Sequence, residues 1–272
     1  MLYFVFTVDG DWEEYYDSTL PEELRKPDQN RLLSWLDLEI RLASKLLNGR
    51  WVHFIHTSPL VRDFFLQSNF ISRWKEIERR GGSVGIHCHE DDPQRAYYYD
   101  DVEKMEKAIG VFAKGLSDKG VHPVAYRGGY LAFSPKIIPI LEENAIFLDL
   151  SCKPGRHLFH GDLLVSDWRG APDNYYRMSY EDHRRPGTSR VFEIPLGVYV
   201  ETDSIFKIWR RARALRKRRE DVIVSVLTHS YEFGSFMRRL KIKLALSILK
   251  KYGRFISARE ALTITSSEDK ER

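Results

Sequence analysis

Acidic side chains that could carry hydrolytic chemistry follow the first apolar segment of the chain. This segment ends in the run Thr-Val-Asp-Gly-Asp, in which one glycine separates Asp9 from Asp11. Such a pair can divide two tasks, because one carboxylate can bind a divalent cation while the other takes a proton from water. The alternative interpretation is a turn after a strand, in which an aspartate side chain bonds to nearby backbone amides.

A second polar run, residues 81–92, offers ligands of the kind that zinc prefers. It reads GGSVGIHCHEDD and contains His87, His89 and Asp91. A catalytic zinc site uses three protein ligands and keeps one position open for water. Asp11 and His87 with one further group would complete such a site. His89 is the preferred third ligand, and Asp91 is the second choice.

An arginine and a late histidine follow two further apolar segments. Arg127 could pair with Asp9 and hold it as a carboxylate, and the two glycines after Arg127 let the backbone approach a ligand closely. The backbone N–H of Tyr130 could then face the oxyanion that forms when an amide carbonyl is attacked. Histidine titrates in a range suited to proton donation, so His229 could protonate a leaving amine. A lone strand-end histidine is more often structural, so this interpretation depends on the other clusters.

The remaining histidines are assigned no catalytic role. His53 and His56 lie in the apolar run WVHFIHT and are predicted to be core or strand-end residues. Four more lie in loop-like contexts without ligand spacing: His122, His157, His160 and His183.

The elements that must position these residues alternate between short β-rich runs and helical patterns, which predicts a parallel sheet covered by helices. The predicted strands are Tyr3–Val8, Trp51–Thr57, Ser83–His87, Pro123–Arg127, Ala145–Leu150, Val191–Leu196 and Val222–His229. The carboxyl ends of parallel strands share one edge, so the polar residues should converge there. This spacing fits either a doubly wound open sheet or a β/α barrel. We expect one domain over residues 1–264 and a flexible polar tail over residues 265–272.

Composition limits the setting in which the chain works. The 272 residues are 43% hydrophobic, which is ample for one large core. The first residues lack a basic segment and a cleavage site, and no apolar run reaches the roughly 20 residues that span a bilayer. The two cysteines do not form a disulfide framework. A cytoplasmic location is therefore expected.

Much of the net charge of +4 comes from the segment Lys207–Arg219, KIWRRARALRKRR. Such a helix could contact the anionic inner surface of a membrane, or hold a phosphorylated donor such as a nucleotide-linked or lipid-linked sugar. The simpler alternative is a solvated surface helix. Nucleic-acid binding is not expected, because no recognition motif accompanies the basic residues.

Taken in order, these clusters resemble the polysaccharide deacetylase family, also called carbohydrate esterase family four. The resemblance covers nearly the whole chain and rests on TVDGDW, GGSVGIHCHEDD, YRGGYLAFSPKIIPILEENAIFLDLS and LTHSYEF. It implies an α/β fold, a distorted (β/α) barrel of seven or eight mostly parallel strands. It also implies a divalent metal ion, zinc above all, held by one aspartate and two histidines.

The resemblance also implies a role for each matching residue. Asp9 matches the general base, Asp11 and His87 match metal ligands, and Arg127 matches the residue that orients the base. The remaining matches are Tyr130 as the backbone oxyanion donor, His229 as the general acid and Asp149 as a supporting acid.

Two departures from the family pattern stand out. The family has adjacent aspartates, whereas Gly10 separates the two here, which leaves their division of roles open. The family's second histidine falls at Asp91, and His89 resembles a variant His-x-His pattern instead.

The activity implied is the removal of an N-acetyl group from an acetylated amino sugar. We expect that sugar to be an intermediate of surface polysaccharide biosynthesis. Two alternatives stay open: hydrolysis of a small non-sugar amide at the same site, and an inactive carbohydrate-binding or membrane-surface scaffold.

Overall fold

The computed structural model describes residues 1–17, 19–90 and 99–268, with backbone alone at 266–268. The strands, numbered in chain order, are β1 (Leu2–Asp9), β2 (Val52–Thr57), β3 (Ser83–Cys88), β4 (Ala125–Gly128), β5 (Leu148–Asp149), β6 (His157–His160), β7 (Leu163–Asp167), β8 (Tyr176–Arg177), β9 (Phe192–Glu193), β10 (Leu196–Tyr199), β11 (Val222–His229) and β12 (Arg254–Phe255).

The helices lie mostly between these strands. They are α1 (Glu22–Arg25), α2 (Gln29–Leu47), α3 (Ser68–Arg79), α4 (Val102–Glu106), α5 (Phe112–Ser117), α6 (Ile137–Glu143), α7 (Ile205–Arg216), α8 (Phe236–Lys250) and α9 (Ala258–Glu268). A π-helical turn at Lys107–Val111 joins α4 to α5. Within the described ranges, no helix is both long and apolar enough to cross a bilayer.

Eight strands form one parallel path in the order β10-β11-β1-β2-β3-β4-β5-β9, and β8 extends it with an antiparallel pairing. β12 pairs beside β1, and β6 with β7 forms a separate hairpin. The predicted mostly parallel sheet of seven or eight strands is therefore confirmed. The prediction missed β8, β10, β12 and the β6–β7 hairpin, whose short segments carry little periodicity.

The sheet is curled, which brings the ends of distant strands together. β2 and β3 lie between β1 and β4, so β1 and β4 would be ~14 Å apart in a flat sheet. The guanidinium of Arg127 on β4 nevertheless lies 2.6 Å from the carboxylate of Asp9 on β1. A contact across two intervening strands is explained by a sheet that bends around a common axis, as in a distorted β/α barrel.

Successive side chains of each strand face opposite sides of this sheet. Phe4 and Phe6 on β1 belong to the large outer core that includes residues of the surrounding helices. Val5, between them, belongs to a smaller inner cluster with Phe54 of β2 and Ala125 of β4. The inside of the curl is therefore packed with apolar side chains below the carboxyl edge of the strands.

Helix α9 completes the inner cluster from the opposite end. Ala258 and Ala261 are fully buried within it. The helix continues to Glu268, and Thr265 is 1% exposed with its hydroxyl donating to the carbonyl of Leu262. The boundary expected at residue 264 therefore falls inside a helix.

Candidate active site

Five polar side chains meet at the carboxyl edge of the sheet, inside the curl. They are Asp9 on β1, His56 on β2, His87 on β3, Arg127 on β4 and His229 on β11. Asp9, His56 and Arg127 each follow an inner apolar residue of the same strand by an even number of positions. Since side-chain direction has a period of two, these side chains must face the same interior as that cluster.

Asp9 and Arg127 form a buried ion pair at the base of the site. Nη1 of Arg127 lies 2.6 Å from Oδ1 of Asp9 and donates to the hydroxyl of Thr7 at 2.9 Å. Nε donates to the carbonyl of Leu150 at 2.9 Å, and the guanidinium lies 4.7 Å from the ring centroid of Phe54. Arg127 is thus fixed on several sides and contacts Asp9, the partner that the sequence analysis proposed for it.

A second pair of carboxyl groups lies behind Arg127. Asp149 and Glu193 are buried and directly opposite each other on β5 and β9. Burial raises the pKa of both groups, and for Glu193 the charge of Asp149 raises it further. Asp149 accepts from the Ser151 hydroxyl at 2.7 Å, and that hydroxyl accepts from the Gly128 amide at 2.9 Å. Asp149 therefore supports the loop after β4 and does not touch the cavity directly.

Asp11 is surrounded by imidazoles. One of its carboxylate oxygens lies 3.4 Å from Nε2 of His87, and the other lies 3.8 Å from Nε2 of His56 and 4.0 Å from Nε2 of His89. The Nε2 atoms of His87 and His89 are 3.0 Å apart. The three residues predicted as metal ligands, Asp11, His87 and His89, are therefore brought together.

The donor set fits a divalent metal ion. Nitrogen and oxygen ligands about 2.1 Å from a tetrahedral ion lie ~3.4 Å from one another, close to the separations around Asp11. Nδ1 of His87 is 3.1 Å from the Arg127 carbonyl, which can only accept, so Nδ1 carries the proton and Nε2 faces Asp11. Burial lowers the pKa of His87, but Asp11 and Asp9 outweigh it and raise that pKa to about 9. The site therefore stabilises positive charge.

The structure places His56 among the possible metal ligands, a role that the sequence analysis did not assign to it. It is fully buried, and its ring stacks on that of His89 at 4.6 Å with an interplanar angle of 9°. Asp11, His56 and His89 form a group whose ligand atoms all lie within 4.8 Å of one another. His53, in contrast, faces the other side of β2 and bonds to the buried Glu39 at 3.0 Å, as a core residue does.

The three-residue spacing of these two histidines places them on opposite faces of β2, and the pairing with β3 shows which of them lies beside the site. His56 lies directly opposite His87, whereas His53 lies opposite Val84. Both faces of the run WVHFIHT are largely apolar, so the sequence alone could not show which of the two histidines faces the site. Asp91, the alternative third ligand, lies outside the described residues.

Two glycines allow the clustered side chains to approach. A Cβ at Gly10 would lie 2.6 Å from the Phe54 carbonyl, so the residue between the two aspartates has no room for a side chain. A Cβ at Gly129 would lie 2.5 to 2.7 Å from three ring atoms of His89. The separation of Asp9 from Asp11 by a glycine is thus explained by the close contact of β1 with β2.

His229 is held by a carboxylate that the sequence analysis missed. Nδ1 of His229 lies 2.9 Å from Glu201, and the ring stacks on Tyr231 at 5.0 Å. Burial lowers the pKa of His229, but Glu201 and the nearby Asp11 raise it above its usual value. Nε2 lies 3.8 Å from Asp11 and so faces the site. A protonated imidazole is therefore favoured at this position.

A cavity of about 250 Å³ is lined by Asp9, Asp11, His87, Glu201 and His229, among others. Tyr130 lies on its wall with φ of 55°, a left-handed conformation uncommon for a residue with a side chain. Arg156 also lines it and donates to the Tyr130 carbonyl at 3.1 Å. Tyr16, a second residue that the sequence analysis missed, donates its hydroxyl to Asp11. Neither Glu201 nor Tyr16 has a motif of its own, and only proximity reveals them.

The fold is that of the polysaccharide deacetylases. A proposed polysaccharide deacetylase from Mycobacterium smegmatis superposes with a TM-score of 0.64 and 14% identity, over 98% of this chain and 91% of that one. A proposed glycoside hydrolase/deacetylase from Parabacteroides distasonis has a TM-score of 0.63 and 12% identity, over 94% of this chain and 69% of that one. Searches of protein-family models and of curated proteins gave no match.

The same fold also carries a different activity. A 4-α-glucanotransferase from Thermococcus litoralis has a TM-score of 0.54 and 11% identity, over 97% of this chain and 38% of that one. Because unlike reactions occur on this one fold, the reaction must be argued from the site.

Proposed function

We propose that this protein is a metal-dependent hydrolase that removes the N-acetyl group from an acetylated amino sugar. The observation that carries the proposal is a paired arrangement around one small cavity. On one side Asp9 is paired with Arg127, and on the other His229 is held by Glu201. Such a base and acid, facing one space, are what hydrolysis of an amide requires.

Asp11 and His89 would hold the metal ion, together with one or both of His56 and His87. Zinc suits this set, because imidazole and carboxylate are its usual ligands. Such an ion would polarise an amide carbonyl and lower the pKa of its bound water to about 7.

The chain's own residues would move the protons. Asp9 takes a proton from the attacking water, and Arg127 holds Asp9 in position. The backbone N–H of Tyr130 donates to the oxygen that becomes negative as the carbonyl is attacked. His229 gives its proton to the departing nitrogen as the C–N bond breaks. The products are acetate and the free amino sugar, and no organic cofactor takes part.

The size of the cavity supports a small substrate. Its volume of about 250 Å³ lies below the range of roughly 300–1,000 Å³ that is usual for ligand pockets. One acetylated sugar ring suits this space better than several linked rings. We therefore propose a biosynthetic intermediate of a surface polysaccharide, processed in the cytoplasm, as the substrate.

Metal content tests the ligand set. We expect purified protein incubated with zinc to retain about one ion per chain, and His89→Ala to lose it. Comparing His56→Ala with His87→Ala identifies the remaining imidazole ligand or ligands. His122→Ala is the control, because that residue is exposed. Wild-type protein that retains no divalent ion would overturn the metal-dependent mechanism and favour a binding or scaffold role.

Acetate release tests the reaction. N-acetylglucosamine and its phosphate-linked forms should release acetate, whereas small cyclic amides should not be cleaved. Cleavage of the small amides alone would show that the same site serves the alternative substrate class. A protein that binds zinc but releases no acetate from acetylated sugars contradicts the proposed reaction.

A further inference from the structure

A second cavity adjoins the candidate active site. It has a volume of about 700 Å³ and lies between the loop after β5 and one face of α7. Tyr199 and Thr202 line both this space and the smaller cavity around Asp11. A molecule that extends beyond one sugar ring could therefore occupy both spaces, with these two residues between its parts.

The larger cavity carries a surplus of positive charge. Its lining includes Lys153, Lys207, Arg210 and Arg211, against the single carboxylate of Asp203. That carboxylate is already engaged, because it pairs with Lys207 and accepts from the Tyr199 amide. Among the residues that the structure describes, no carboxylate lies within ion-pair distance of Arg210 or Arg211.

The pKa of Lys153 is lowered in these surroundings. It is partly buried and contacts the ring of Tyr199, with Nζ 5.7 Å from the ring centroid. Burial lowers its pKa, and the neighbouring charge of Arg156 lowers it further. Four cations around one cavity, with Asp203 as the one carboxylate among its lining residues, create a positive potential that attracts an anion.

The helical repeat explains why these cations face the cavity. In α7, Ile208, Ala212 and Leu215 are buried against the core. Lys207 and the pair Arg210 and Arg211 lie on another face, where they line the cavity. The remaining cations of the helix, Arg213 and Arg216, are not among its lining residues. The basic segment is therefore divided between a cavity wall and a solvated face.

Tyr199 lies between the two cavities and lines both of them. Its hydroxyl lies 3.5 Å from Nε2 of His229, and Lys153 lies against its ring. In a 2-acetamido sugar the anomeric carbon is bonded directly to the carbon that bears the acetamido group. A phosphate at the anomeric carbon would therefore lie beside Tyr199 when the amide faces His229.

We propose that this cavity binds a diphosphate linked to the anomeric carbon of the acetylated amino sugar. The class of substrate is thus a sugar diphosphate, carried by either a nucleotide or a lipid. Arg210 and Arg211 donate to the phosphate oxygens, and Lys153 lies nearest the sugar. The assignment rests on the proposed function for the sugar but not for the phosphate, so the two can be tested separately.

The first test measures binding alone. Wild-type protein is titrated with inorganic pyrophosphate and with UDP-N-acetylglucosamine, and the variant Arg210→Gln/Arg211→Gln is compared with it. We expect the double variant to raise both dissociation constants about tenfold or more, since charge-assisted contacts are lost. The matched control, Arg213→Gln/Arg216→Gln, removes the same charge from the same helix outside the cavity and should change them less than about twofold. Equal losses in both variants overturn the proposal.

The second test separates the two carriers. UDP and a prenyl diphosphate in detergent are each used to displace bound UDP-N-acetylglucosamine, and stronger displacement by one identifies the carrier. Vesicles containing phosphatidylglycerol are included as a third arm. If Arg210→Gln/Arg211→Gln abolishes vesicle binding while pyrophosphate does not bind wild type, the basic face contacts a membrane surface and the proposal is wrong.

The third test links the cavity to the reaction. Acetate release is measured with N-acetylglucosamine and with UDP-N-acetylglucosamine. We expect kcat/KM in Arg210→Gln/Arg211→Gln to fall about tenfold more for the diphosphate substrate than for the bare sugar. Equal falls for both substrates contradict the proposal. A wild type that releases no acetate refutes the proposed function but leaves the binding result valid.

Discussion

Replacement of Gly129 by alanine is the most direct test of the position of His89. An added Cβ would lie 2.5 Å from Nδ1, 2.6 Å from Cε1 and 2.7 Å from Cγ of that ring. Non-bonded carbon atoms prefer separations of about 3.5–4.0 Å, so the ring would have to move by ~1 Å. The backbone itself does not forbid alanine, because φ at Gly129 is not in the left-handed region.

His89 has little room for such a movement. Its ring stacks on His56 at 4.6 Å and meets the rings of Tyr15 and Tyr130 at 5.2 and 5.4 Å. We expect overpacking to lower the free energy of unfolding by about 1–3 kcal/mol. A displaced ligand should weaken metal binding by about 10- to 100-fold. A shift of this size should lower kcat by about 100-fold.

Three measurements on Gly129→Ala check these values: urea denaturation, zinc affinity by competition with a chromophoric chelator, and acetate release. Gly110→Ala is the matched control, because its added Cβ would lie 3.6 Å from the Asn144 side chain, an ordinary contact. A Gly129→Ala protein with wild-type zinc affinity and stability would refute the placement of His89 in the metal site.

Three further predictions follow from the same geometry. Asp9→Asn should retain zinc and lower kcat by about 100-fold or more, whereas Asp11→Asn should lose zinc; the reverse result would exchange their roles. Glu201→Gln should lower kcat by about tenfold or more, with zinc content unchanged, because His229 loses its charged partner; wild-type kcat would exclude that contact from the mechanism. The raised pKa of Glu193 makes the folded state hold a proton that the unfolded chain releases near its usual 4.5, so stability should fall as pH rises above that value. Glu193→Gln should flatten the decline in unfolding free energy as pH rises above about 4.5, and an unchanged slope in urea denaturation would contradict the raised pKa.

The sequence by itself determined the main strands and the residues that end them. Apolar runs such as Val222–Leu227 show where a buried strand lies, and the polar residue after each run shows its carboxyl end. Because parallel strands share an edge, the convergence of Asp9, Arg127 and His229 could be predicted without coordinates. The local sequence was enough for this prediction, because each of these residues lies at the carboxyl end of its own apolar strand.

Only the tertiary structure decided which face of a strand that is apolar on both sides lines the site. It also decided which residues from distant parts of the chain contact that site. His53 and His56 lie three residues apart and so on opposite faces of β2, but only the packing of the sheet shows that the first meets Glu39 and the second Asp11. Glu201 comes from the loop after β10 and has no local pattern that connects it to His229. Such contacts arise from the curl of the sheet, which brings together residues whose separation in the chain carries no periodic signal.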